Sequence, residues 1–224
     1  MKRDLFHFDI ETVSQYENFD EFKIHDERGS TLFENKFNKM NWNDKYADVN
    51  QAYIENAGVI SAYGKIVCIS FGYFHNGEKK IKSLYGDDEK DIVVRFNEAL
   101  KYIEKKNFNI CGFKINYFDI PWILHKMAKY GIEPCDIIYT YDKKPWDMRV
   151  VDMSNDWKSS FFWSYSFDEL CYELGVDSPK NSLDGSKVHE TYWGGDIDSI
   201  VSYCEDDVSS SMDASTKIYK HFNF

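Results

Sequence analysis

The chain has 224 residues, 43% of them hydrophobic and 17% aromatic, enough apolar mass for one generous core without staples. A formal net charge of -11 argues against the broad basic face of most nucleic-acid-binding proteins, although divalent cations can reverse the sign locally. The apolar runs are too short and interrupted for a transmembrane helix, so no membrane partner is expected.

The opening MKRDLFHFDIE meets acids before any long apolar run, which argues against a signal peptide. Leu5 to Ile10 alternates at strand period, with Phe6, Phe8 and Ile10 on one face and His7, Asp9 and Glu11 on the other. From Val13 to about Val59 the text is polar and aromatic, with weak helix signals around Tyr46 to Ala57. This region, about 13–59, reads as an insertion or an extended connection. Lys65 to Phe74 is rich in β-branched and aromatic residues, Asn76-Gly77 supplies a tight turn, and Lys80 to Tyr85 returns as a partner strand. Glu89 to Lys106 carries Ile92, Val93, Phe96, Leu100 and Ile103 at helical spacing.

Phe108 to Phe113 is a short buried strand. Asp119 to Tyr130 is a second amphipathic helix, with Pro121 in its first turn and Gly131 as a stop. Met148 to Met153 reads as another strand. Ser166 and Glu169 make a capping box for a helix to about Leu174, and Gly194-Gly195-Asp196 breaks the chain before a last helix reaching roughly Tyr219. The order predicts an α/β domain over 1–224 with a mixed sheet, antiparallel in its first strands and parallel after. The cysteines, Cys68, Cys111, Cys135, Cys171 and Cys204, show no CxxC or zinc spacing and read as reduced thiols of a cytoplasmic protein.

Three acidic patterns then carry the chemistry. Asp9 and Glu11 share a strand face because side-chain direction repeats every two residues. Asp119 opens a helix just past a strand, where a sheet of this type places its ligand crevice; it equally fits a helix cap. Tyr203 and Asp207 lie four apart on one helical face, at the border of a packing stripe of Ile197, Ile200, Val201, Cys204 and Val208. Glu205 and Asp206 project elsewhere and read as solvated.

Together, D-x-E in FDIET, the later FDIP and Y-x-x-x-D in YCEDD resemble the DEDD superfamily of 3′-5′ exonucleases. The tyrosine places the chain in the DEDDy branch, similar to the proofreading domain of family B DNA polymerases and to stand-alone predicted exonucleases related to it. The resemblance implies an RNase H-like fold and two Mg²⁺ or Mn²⁺ ions. It also implies that Asp9 bridges both ions, that Glu11 and Asp207 complete the first, and that Asp119 holds the second mainly through water. Its implied substrate is nucleic acid with a free 3′ end, DNA favoured over RNA, cut to 5′-mononucleotides. The alternatives are RNA trimming or a non-catalytic nucleic-acid or polymerase-accessory module. Without a polymerase in the chain, the protein acts alone or in trans with a polymerase, repair or replication factor.

Elementary electrostatics points the same way. Two carboxylates ~4 Å apart repel by about 4 kcal/mol at an effective dielectric near 20. Hard oxygen ligands suit Mg²⁺ or Mn²⁺ rather than zinc. Tyr203, a phenol of pKa ~10, is only about one part in a thousand ionised at neutral pH, so it orients water rather than acting as a strong base.

The family's asparagine five residues before the second-motif aspartate is replaced by Lys114, with Asn116 nearby but out of register. Lys114, Asn116 and Thr12 are the candidate substrate contacts. Asp152 and His189 read as a strand-end acid and a packing histidine. Lys143, Lys144, Lys180 and Lys187 are candidate phosphate contacts, and one or two of Trp42, Trp122, Trp146, Trp157 and Trp163 are candidates for stacking on terminal bases.

Overall fold

The computed structural model describes residues 4–158, 164–178 and 184–220. Lys180 and Trp163 lie outside the described residues. The spine is a five-stranded sheet with β1 (Leu5–Ser14) at its centre. β2 (Gly64–His75) and β3 (Glu78–Tyr85) extend it on one side, antiparallel; β4 (Asn109–Gly112) and β5 (Val150–Asp152) extend it on the other, parallel. His75 pairs with Glu78 across Asn76-Gly77, whose φ values of 51° and 82° are those a two-residue hairpin turn requires. β1 runs four residues beyond the predicted alternation, past a register shift between Glu11 and Thr12.

The segment between β1 and β2 folds into α1 (Phe19–His25), α2 (Glu27–Lys39) and α3 (Val49–Asn56). The sequence pattern announces only the last. Asn18 and Asp26 cap the first two, and Phe19, Phe22, Phe33 and Phe37 bury into an aromatic cluster around Tyr53. With few apolar positions per helix and charges at most others, these stripes are too sparse to register as periodicity.

α4 (Glu89–Lys105) and α5 (Asp119–Tyr130) cover one face of the sheet. Ile92, Phe96, Leu100, Ile123 and Met127 pack there on Phe6, Phe8 and Ile10 of β1. The short α6 (Met153–Asp156), α7 (Phe167–Leu174) and α8 (Val188–Trp193) lead to α9 (Ile197–Tyr219), which crosses the other face. There Ile200 and Cys204 pack on Val67 and Cys68, while Ala214 and Ile218 pack near Cys111. His7, on this second face of β1, is fully buried between the Ser211 and Ser215 hydroxyls of α9, at 2.9 and 3.2 Å. The charged face of β1 is therefore enclosed by α9 rather than solvated. All five cysteines are buried and unpaired, and among the described residues no helix is long and apolar enough to cross a membrane.

Candidate active site

β4 ends at Gly112 and pairs with β1 only from Leu5 to His7, so β1 continues past it with one edge open. At that edge the Ile10 amide donates to Asp119 Oδ1 at 3.2 Å, joining the start of α5 to the strand. Of the two roles open to Asp119, helix cap or crevice acid, the structure shows the second. Phe118 holds the N-cap position, without a side-chain cap, and Asp119 is the first helical residue, turned toward β1.

Asp152, at the end of β5, organises the loop before α5. It is 3% exposed, and its Oδ1 accepts from the amide of Lys114 (2.9 Å) and from the amide and hydroxyl of Ser154 (3.0 and 2.7 Å). Its Oδ2 accepts from the Asn116 amide at 3.1 Å. This clamp holds Lys114 at φ 57°, a left-handed conformation that a side chain with a Cβ adopts only when its surroundings impose it.

α9 supplies the last wall. Its i,i+4 spacing puts Tyr203 and Asp207 side by side, with the phenol against the Asp207 carboxylate. One residue on, the Cys204 thiol donates to both the backbone oxygen and Oδ2 of Asp9, at 3.5 Å each. Asp9, Glu11, Asp119 and Asp207 thus meet in one open crevice of about 270 Å³, with Tyr203, Lys114 and the rings of Phe113, Phe118 and Phe167 on its walls. Lys114 is the single cation among the described residues that line it.

The electrostatics follow from that imbalance. Burial raises the Asp9 carboxyl well above its ordinary range, and the charges of Asp207, Asp119 and Glu11 add to it. Glu11 is raised likewise, by burial first and then by Asp207. Burial lifts Asp119 to about 7 against hydrogen bonds from its own amide and that of Ile10. Asp207 reaches about 7 through burial, opposed by the Tyr203 hydroxyl. Burial and the nearby carboxylates push the Tyr203 phenol far above its ordinary value, so it remains a proton donor. Glu11, 9% exposed, makes no hydrogen bond among the described residues. A buried carboxylate without a donor, beside three others, is a ligand set fitted to hard divalent cations.

Other candidates are placed elsewhere. The Thr12 hydroxyl donates to the Gly58 carbonyl at 2.7 Å, and Thr12 does not line the crevice; neither does Asn116. Glu205 is not simply solvated, since it accepts from the Ser83 hydroxyl of β3 at 2.6 Å. His189 packs as expected, with Nδ1 2.9 Å from the Ser14 hydroxyl. Trp122 is buried, Trp42 joins the aromatic cluster of α1 to α3, and Trp157 packs near α9. Trp146 is exposed but precedes the amino end of β5, away from the crevice. Lys143 pairs with Asp136, and Lys144 lies over the Trp146 ring. Lys187 belongs to a turn that passes Tyr203: a Cβ on Gly185 would stand 3.9 Å from the phenol oxygen. Sequence reasoning missed the aromatic wall, the Asp152 clamp and the Cys204 contact. The only local signals were aromatics beside Asp119 and a cysteine beside Tyr203.

Residues 59–212 match the family described as "Predicted 3'-5' exonuclease related to the exonuclease domain of PolB". The chain belongs to this family. The chain is also similar in fold to a family B DNA polymerase from the hyperthermophilic archaeon Pyrobaculum calidifontis, with a TM-score of 0.57 and 16% identity. That likeness covers 97% of this chain but only 25% of the polymerase chain, and at such identity it speaks for the fold alone. No curated protein sequence matches the chain. The match places this chain in a family of predicted exonucleases, a type that usually acts with divalent metals, and the fold likeness agrees with its mixed sheet.

Proposed function

We propose that this PolB-related exonuclease hydrolyses phosphodiester bonds from the 3′ end of single-stranded or frayed DNA, releasing 5′-mononucleotides, with residues 1–224 acting as one catalytic domain in the cytoplasm. The observation that carries the reading is the convergence of Asp9, Glu11, Asp119 and Asp207 on one crevice that the chain itself does not neutralise. These four carboxylates would hold two Mg²⁺ or Mn²⁺ ions. Bound there, such ions supply Lewis-acid stabilisation of developing charge and an acidified water.

The chain's own residues do the positioning. Tyr203, held protonated with its hydroxyl on Asp207, orients the attacking water by a hydrogen bond to its phenol oxygen. Lys114 offers its ammonium to a substrate phosphate from the crevice wall, beside the Phe113 ring. Phe113 and Phe167, with ring centres 5.3 Å apart, present an apolar wall on which a terminal base can rest. None of these contacts reads a base edge, which suits removal of any nucleotide.

The test is a 5′-labelled DNA oligonucleotide with Mg²⁺ or Mn²⁺, run beside the matching RNA. The expected result is a ladder shortening from the 3′ end on DNA, reduced on the order of 10³-fold in Asp9→Ala. Undiminished cutting by that variant, or no shortening with either metal, defeats the reading; faster shortening of RNA reassigns the substrate.

A further inference from the structure

We propose that Cys204, together with Asp9 and Glu11, forms a mixed sulfur and oxygen site for a thiophilic divalent ion of the zinc or cadmium class. The site overlaps the position expected for a magnesium-like ion and competes with it. The proposal concerns binding and does not rest on the nuclease reading.

Geometry supports it first. Ligand atoms of Asp9, Glu11 and Cys204 all lie within 4.8 Å of one another. Zn–S of ~2.3 Å and Zn–O of ~2.1 Å imply a sulfur–oxygen edge of about 3.6 Å in a tetrahedron. The observed separation of Cys204 Sγ from Asp9 Oδ2 is 3.5 Å. These two ligand atoms therefore stand at the spacing such an ion needs, with no backbone movement required of β1 or α9.

A second observation is independent of the thiol. Glu11 is 9% exposed, lines the crevice and has no hydrogen-bond donor among the described residues, so its carboxylate faces the site without a partner. Cys68 sits directly opposite Glu11 in the β1–β2 ladder, yet it falls outside the group of converging ligand atoms. Its thiol lies beside the Cys204 sulfur and 3.7 Å from the Ser70 hydroxyl, behind the ligand atoms. Cys204 is the sulfur aimed at Asp9.

The chemistry separates two classes of ion. Magnesium takes oxygen ligands and ignores a thiol, whereas zinc and cadmium take thiolate readily. On binding, the thiol S–H bond is lost, its proton leaves to solvent and a metal–sulfur bond forms, so the balance needs no oxidant or further reactant. A thiophilic ion held in this way occupies the Asp9 and Glu11 oxygens that a hard cation would use.

The test uses chelator-stripped protein without nucleic acid, titrated with Cd²⁺. Wild type should develop thiolate-to-cadmium charge-transfer absorption that saturates with a single equivalent. Cys204→Ser should lose it and bind Cd²⁺ at least about tenfold more weakly against a chromophoric chelator, while Cys68→Ser keeps both. No absorption in wild type, its persistence in Cys204→Ser, or its loss in Cys68→Ser with Cys204→Ser intact overturns the proposal. Should Cys204→Ser fail to fold, cadmium-113 NMR of wild type decides: a shift of one-sulfur coordination supports the site, and an all-oxygen shift removes it.

Discussion

Two regions of this molecule bury carboxylates, and they treat them in opposite ways. Glu89, 5% exposed, is surrounded by donors: the Ile66 amide at 2.7 Å, the Tyr130 hydroxyl at 2.5 Å, and Lys126 Nζ at 3.1 Å. Lys126 is itself 2% exposed and gives its remaining protons to the carbonyls of Ser61 and Gly64. That knot ties α4 and α5 to the start of β2, and every charge in it is answered from within the chain. At the other site, Asp9, Glu11, Asp119 and Asp207 share a crevice with one peripheral lysine. A buried charge that the fold neutralises is structural; one that it leaves unanswered awaits something from outside.

The contrast can be broken most severely at the knot. Lys126→Ala should cost about 3–5 kcal/mol of stability by urea denaturation, because it removes the buried cation of Glu89 and leaves only the half-exposed Lys129 at 3.4 Å. A loss below about 1 kcal/mol would show that the pair is not coupled to folding.

The crevice should respond with the opposite sign to its own charge. Asp119 and Asp207 titrate at about 7 when folded but near their ordinary carboxylate value when unfolded, so the folded state holds more protons between those limits. Metal-free protein should therefore be most stable at and below about pH 4 on account of these groups. It should lose several kcal/mol as pH rises from about 4 through about 7, and Mn²⁺ should restore much of that. Thermal melts across pH, with chelator and with Mn²⁺, measure it; a flat chelator curve removes the argument that the fold buries these carboxyls without answering their charge.

Tyr203→Phe sharpens the catalytic side. It removes a hydrogen bond but no charge, and should lower kcat on DNA by roughly 10- to 100-fold with little change in KM. A rate loss as large as that of Asp9→Ala would instead give the phenol a role beyond orienting water. The smallest effect is expected at the rim. Lys114→Ala should raise KM about three- to tenfold, and less so at high salt, since an exposed phosphate contact is screened. An unchanged KM would leave the left-handed turn at Lys114 without a substrate role.

Much of this was legible in the chain because the relevant patterns are local. Alternation in FHFDIET puts Asp9 and Glu11 on one strand face, and helical spacing puts Tyr203 beside Asp207. Ser166 and Glu169 do form the capping box that their spacing predicts. Asn76-Gly77 does close the hairpin. Reading failed where a side chain has two short-range options and a distant partner chooses between them. Glu205 could face water, yet Ser83 of β3 lies within reach. Thr12 follows the D-x-E immediately, yet the register shift after Glu11 is accompanied by a hydroxyl bonded to Gly58.

By itself, then, the sequence determined the order and type of the main strands and helices, and the residue types able to bind cations, since periodicity and ligand chemistry are written in neighbouring letters. Only the tertiary structure decided that α9 lies over the charged face of β1, that Asp152 clamps the loop carrying Lys114, and that the Cys204 sulfur reaches Asp9. Those outcomes depend on which elements pack together, and packing joins residues whose separation along the chain carries no signal of their meeting.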